Sequence, residues 1–199
     1  MTQQLKKNRL LILIIFGMSI IPFLIAWGLK ENPELLKGRT NRGQLITPVV
    51  TTERSDFTGF DQFTRDNMAE MPGHWLIMNV IPADGCNQLC LEAMYKTKQI
   101  QLMLNKELTR TRRVVLVFKD VEADSAEQWW RDDDIRLLRV KPSAGLVKKL
   151  TEIRQGNVPE GMLFIMDPLG NLMMQYEPGF DPYEVKNDLM HLLRISQIG

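Results

Sequence analysis

Cys86 and Cys90 are the two cysteines of the chain, and they carry its most reactive side chains. They close the stretch WLIMNVIPADGCNQLC, Trp75–Cys90. Two sulfurs at this spacing admit three chemistries. One is a structural disulfide, but a loop this short contributes only about 2 kcal/mol in the chain-entropy treatment, against nearly 5 for a long loop. The second is a redox-active dithiol. A helix N-terminus favours thiolate over thiol, and if the following helix reaches back to Cys86, the i,i+4 spacing sets the two Cα atoms about 6 Å apart, within disulfide reach. The third is a soft-metal site, since two thiolates suit Cu(I), although a third ligand is wanted. Spacing alone leaves all three open.

Few other residues are placed to join the pair. The histidines are His74 and His191. His74 opens the strand whose far end precedes the cysteines, and seven residues at about 3.3 Å each separate them by some 20 Å. His191 falls on the side of its helix away from the apolar stripe and is expected in solvent. Met68, Met71 and His74, in NMAEMPGH, read as a packed helix end with two buried methionines or as a weak copper-handling patch. Methionine is abundant, at 12 residues. It fills irregular core gaps or, alternatively, offers thioether ligands to Cu(I). The sequence has no Gly-rich phosphate loop, no Ser/His/Asp set and no paired carboxylates at catalytic spacing. With 199 residues and a formal net charge of +1, the chain has no concentrated basic charge that would suggest nucleic acid as a partner.

The elements that hold the cysteines follow from hydrophobic patterning. Trp75–Ile81 reads as a buried strand, stopped by Pro82 and a turn over Ala83, Asp84 and Gly85. Leu89–Leu104 reads as a helix, with Leu91, Met94, Tyr95 and Leu102 on one stripe. Arg113–Phe118 is a second buried strand, Ser125–Arg131 a short helix with Trp129 and Trp130, and Ile135–Val140 a third strand. Leu146, Leu150 and Ile153 mark an amphipathic helix ending at Gly156. Gly161–Met166 and Leu172–Tyr176 flank the turn Asp167-Pro168-Leu169-Gly170-Asn171 and form a hairpin. Asp181 caps the last helix, with Pro182 at its first position and Glu184 completing a capping box. Val185, Leu189, Leu192 and Ser196 share its inner stripe. This order predicts an α/β fold: a thioredoxin-like mixed sheet with flanking helices.

Ahead of it, Leu10–Leu29 carries no charge and is long enough to cross a bilayer as one transmembrane helix. Lys6, Lys7 and Arg9 precede it without an acidic counterpart, so the N-terminus is expected in the cytoplasm. Ile25-Ala26-Trp27 is a poor cleavage site, which favours an uncleaved anchor over a signal peptide. The expected organisation is a cytoplasmic tail over 1–9, a transmembrane helix over 10–29, a linker over 30–55 and a thioredoxin-like domain over 56–199. Within the linker, Thr40–Pro48 has the pattern of an edge element. The domain then lies outside the cytoplasm, in the periplasm of a Gram-negative cell, where disulfides persist.

Cys86-Asn87-Gln88-Leu89-Cys90 after a buried strand, the DPLGN hairpin and the short anchor resemble the Sco/SenC family, and the chain is similar to cytochrome-oxidase-associated membrane proteins of proteobacteria. The resemblance covers roughly Thr40 to the C-terminus. It implies a membrane-anchored factor for cytochrome c oxidase assembly, handling thiols or copper, with Cys86 and Cys90 as redox pair and metal ligands and an oxidase subunit or another assembly factor as partner. A thiol-disulfide oxidoreductase of the cytochrome c maturation type and a non-catalytic oxidase-associated scaffold are the alternatives. In the family a histidine from the loop before the later strand completes the copper site; here that loop, Arg154–Glu160, has none, and Leu91 stands where the family tends to have proline. Copper is therefore expected to bind weakly. Pro159 resembles the cis-proline that faces the cysteine loop in thioredoxin folds. Asp132, Asp133 and Asp134 beside the tryptophans read as a solvated loop with aromatic shielding, or as an acidic docking patch for a cytochrome or oxidase subunit.

Overall fold

The structure, a computed structural model, describes residues 2–32, 41–131, 133, 136–196 and 198, and it divides into two compact units, 1–40 and 41–199. The first is a single helix, α1 (Thr2–Glu31), with Pro22 inside it. Within its stretch Lys7–Glu31, an 18-residue window has a mean hydropathy of 2.7 and none of that window is buried. At 25 residues and about 1.5 Å per residue, it is long and apolar enough to cross a bilayer.

The second unit contains β1 (Gln44–Thr51), β2 (Phe57–Gly59), α2 (Gln62–Asn67), β3 (Trp75–Ile81), α3 (Gln88–Met103), β4 (Thr111–Val117), α4 (Ala123–Ala126), β5 (Leu138–Pro142), α5 (Ala144–Ile153), β6 (Leu163–Met166), β7 (Asn171–Tyr176) and α6 (Pro182–Ile195). One seven-stranded sheet has the order β1-β7-β6-β3-β4-β5-β2. The β3, β4 and β5 strands run parallel, while β6 and β7 return antiparallel beside β3. The expected mixed sheet with flanking helices is therefore present, and Trp75–Ile81 lies at its centre between β4 and β6.

Every residue of β3 is buried because helices cover both faces. Leu76, Met78 and Val80 point with Val114, Leu116, Val140 and Phe164 towards Leu146 and Leu150 of α5. Trp75 and Ile77 point the other way, towards α3 and the Val185, Leu189 and Leu193 face of α6. The alternation follows from the two-residue period of a strand. The hairpin turn is fixed by Asp167, whose Oδ1 accepts from Leu169 N at 2.9 Å and Asn171 N at 2.8 Å. Gly170 takes φ +90° there, and a Cβ would meet Thr52 O at 3.1 Å.

Several expectations need correction. Within the span read as linker, the edge element expected over Thr40–Pro48 is present as β1, paired with β7, and the compact unit takes in residues from Asn41. Within β1, Ile46 enters the core and Val50 packs partly against it. In α3 the buried stripe is Cys90, Ala93, Met94, Thr97 and Ile100, whereas Leu91, Tyr95 and Leu102 are exposed. Small side chains let the helix approach the sheet, and the larger ones stay on its rim. The left-handed residue ending α5 is Gln155, at φ 53°, not Gly156. Glu184 closes no capping box but lies 3.7 Å from Arg42, while Asp181 does cap α6 by accepting from Tyr183 N. The inner face of α6 is completed by Asp188 and Leu193, with Leu192 and Ser196 half-buried. The cis peptide lies at Thr47–Pro48, and the bond before Pro159 is trans.

Candidate functional site

Cys86 and Cys90 form a disulfide with Cα atoms 5.2 Å apart. The pair stands where β3 leaves the sheet. Pro82 O accepts from Gly85 N at 3.0 Å to close the turn, and Gly85 takes φ +109°, a conformation open to glycine. Helix α3 does not reach back to Cys86 as supposed. Asn87 is its N-cap, and the Asn87 side chain makes no capping hydrogen bond. Cys90 is thus the third residue of α3, among N-terminal amides that favour negative charge on sulfur.

The two sulfurs are not equivalent. Cys90 is 1% exposed in a cluster with Ile81, Met94, Val115 and Val117, whereas Cys86 is only half-buried against that cluster. Cys86 is the less buried of the two, and Cys90 sits in the first turn of the helix.

Aromatic side chains wall the same cluster. Trp130 is buried, with its ring centroid 5.7 Å from Phe60 and 6.0 Å from the half-buried Trp129. Arg139 stacks on the Trp130 ring at 5.5 Å and pairs with Asp61 at 2.6 Å. The acidic run next to the tryptophans is not a solvated loop at its middle residue. Asp133 holds the buried Arg113 of β4 through both carboxylate oxygens, at 2.5 and 2.7 Å. Asp132 and Asp134 lie outside the described residues. Arg113 also donates to Met94 O at 2.9 Å and Thr97 Oγ1 at 3.3 Å, and Thr97 donates to Asn79 Oδ1 at 2.7 Å. This network ties the tryptophan segment to α3 one turn beyond Cys90.

Two charged side chains flank Cys86. Lys119, just past β4, donates from Nζ to Asp84 O at 3.1 Å. On the other side Glu160 Oε2 accepts from Asn87 N at 3.1 Å. The Arg154–Glu160 loop therefore does face the cysteines. Its near end is clamped by Arg154 to Glu177 at 2.6 and 3.0 Å. It brings a carboxylate where the resemblance implies a histidine.

The remaining candidates stay apart. His74 is half-buried at the entry to β3, the end opposite the cysteines, and His191 is exposed on α6. Met71 is buried in the core and Met68 packs against it, the packed helix end expected. Among the described residues no group of three or more His, Cys, Asp or Glu gathers for a metal. A three-ligand copper site is thus not matched by the side chains around the pair.

Residues 75–196 match the family described as transmembrane-like, thioredoxin-like, C-terminal domain. Among solved structures, copper-bound yeast Sco1 superposes with a TM-score of 0.51 and 12% identity, over 63% of this chain and 82% of that one. Copper-bound ScoI of Arabidopsis thaliana gives 0.51 and 12%, over 64% and 88%. The solution structure of apo Sco1 from Thermus thermophilus gives 0.51 and 12%, over 79% and 98%. At this identity the likeness is one of fold. No curated protein matches the sequence.

Proposed function

Because the chain belongs to the family of transmembrane-like, thioredoxin-like C-terminal domains, we propose that it is a membrane-anchored thiol protein whose Cys86–Cys90 pair exchanges disulfides with a client during cytochrome c oxidase assembly. The observation carrying this reading is the asymmetry of the disulfide: a half-buried Cys86 and a Cys90 buried in the first turn of α3. That is an arrangement for attack and departure. A staple closing so short a loop contributes only about 2 kcal/mol. Oxidase as the destination follows from the Sco/SenC resemblance of the cysteine motif, hairpin and anchor. In this reading α1 spans the cytoplasmic membrane with its N-terminus inside, and the domain works in the periplasm.

Copper enters as cargo. Yeast Sco1 and Arabidopsis ScoI are copper-bound in their structures. In this chain the reduced pair supplies two soft ligands, and without a histidine beside them copper is held weakly. The chain's main contribution is then thiol chemistry: disulfide exchange with client cysteines, with at most brief copper transfer.

A deletion strain tests the proposal. Oxidase activity should fall and return with the intact gene, but not with the double variant C86S/C90S. Added copper should restore activity only in part. A C-terminal alkaline phosphatase fusion should be active. Full rescue by the double-serine variant favours the scaffold alternative instead.

A further inference from the structure

The charges flanking Cys86 carry a statement about which thiols it meets. Lys119 approaches the turn because residue 85 is glycine: a Cβ on Gly85 would lie 3.2 Å from Lys119 Nζ and 3.7 Å from Lys119 Cδ. Asp84 lends Lys119 its carbonyl rather than its carboxylate, and among the described residues Lys119 makes no ion pair. Glu160, across the motif, is held by the Asn87 amide and likewise pairs with no cation. Neither side chain has an ion-pair partner among the described residues, and each meets the backbone of a residue within two positions of the half-buried Cys86.

We infer that Lys119 and Glu160 select the client by charge, so that the attacking thiol comes with an acidic group towards the Asp84–Gly85 turn and a basic group towards Glu160. The inference rests on the thiol-exchange reading. In the step itself the client thiolate attacks Cys86 Sγ. The Cys86–Cys90 bond breaks, and its electron pair leaves on Cys90 Sγ, which takes up a proton. A second client thiolate attacks the client sulfur of the mixed disulfide. The client leaves as a disulfide, oxidised by two electrons, and the chain is left as a dithiol. No oxidant or reductant beyond the client thiols is needed. A unit charge at roughly 7 Å in water changes the local concentration of a charged reactant about threefold.

The test uses the full-length oxidised protein in detergent at low salt. Its disulfide is reduced with three small thiols: anionic 2-mercaptoethanesulfonate, neutral 2-mercaptoethanol and cationic 2-aminoethanethiol. K119M should lower the rate with the anionic thiol about threefold relative to the neutral one, and raise the relative rate with the cationic thiol. E160Q should do the opposite, and K119R should behave as wild type. Salt at about 0.5 M should erase the differences. Unchanged ratios in both variants overturn the inference, as does an equal change with all three thiols, which reports only a shift in the disulfide's own stability. A wild-type disulfide that resists even the neutral thiol removes the thiol-exchange reading and this inference with it.

Discussion

Breaking the Arg113–Asp133 pair gives the strongest stability test of how the site is framed. Arg113 is 2% exposed and Asp133 8% at the side chain, so the pair is shielded from water. Asp133→Ala removes both carboxylate contacts and leaves a guanidinium in the interior with only Met94 O and Thr97 Oγ1. Attraction at 4 Å with an effective dielectric near 20 is about 4 kcal/mol. Breaking a buried pair on one side costs about 3–5 kcal/mol. Asp133 is the partner nearer the surface, and water entering the vacated space relieves part of this, so about 3 kcal/mol is expected. The double variant R113M/D133L removes both charges and should regain most of that loss, because an apolar replacement of a buried pair is often neutral. The assay is urea unfolding of the full-length protein in detergent, followed by tryptophan fluorescence. Trp129 and Trp130 lie on the segment that Asp133 anchors, so their emission should also shift in the single variant. A single variant within about 0.5 kcal/mol of wild type, or a double variant less stable than the single, refutes the reasoning.

Four further outcomes follow from the structure. Asp188 Oδ2 accepts from Arg42 N and Gly43 N at 2.8 Å and from the Tyr176 hydroxyl at 2.9 Å, so D188A should cost about 3 kcal/mol and Y176F about 1, read by urea unfolding. Burial and the neighbouring Asp188 push the Tyr176 phenol above its ordinary range, so it should remain protonated until the protein unfolds. Asp56 is held below its ordinary value by the Ser143 hydroxyl, then by the Glu53 amide. The stability from this lowered pKa is fully present above the ordinary carboxylate value and is lost as pH falls through the lowered one, so D56N should flatten the stability profile below about pH 4. The reduced wild-type protein should bind copper weakly, and N157H should tighten binding at least tenfold by competition titration, since its loop borders the motif.

How much of this was legible in the sequence depended on whether each signal was local. The run WLIMNVI announced β3, RVVLVF most of β4, and DPLGN the hairpin, because unbroken apolar runs and turn residues act over a few positions. The cysteines' place at the strand end was legible for the same reason. The face of α3 was not, since periodicity finds large apolar residues, while contact with the sheet is made through Ala93 and Thr97. Arg113 looked like the polar start of a strand. Its buried role depends on Asp133, 20 residues later in sequence. The flanking of Cys86 was further from view, because Lys119 and Glu160 reach the motif through the Asp84 carbonyl and the Asn87 amide. Backbone groups such as these leave no mark in residue types.

The most direct test of the central claim is trapping of mixed disulfides in cells carrying the single-serine variants. C90S retains the accessible sulfur and lacks the one that resolves the intermediate, so it should accumulate a Cys86-linked adduct that disappears on reduction. C86S retains only the buried sulfur and should trap none. Adducts on C86S but not on C90S would contradict the assignment of Cys86 as the point of entry. An absence of adducts on both variants, together with full oxidase activity in both strains, would contradict a thiol function for the pair.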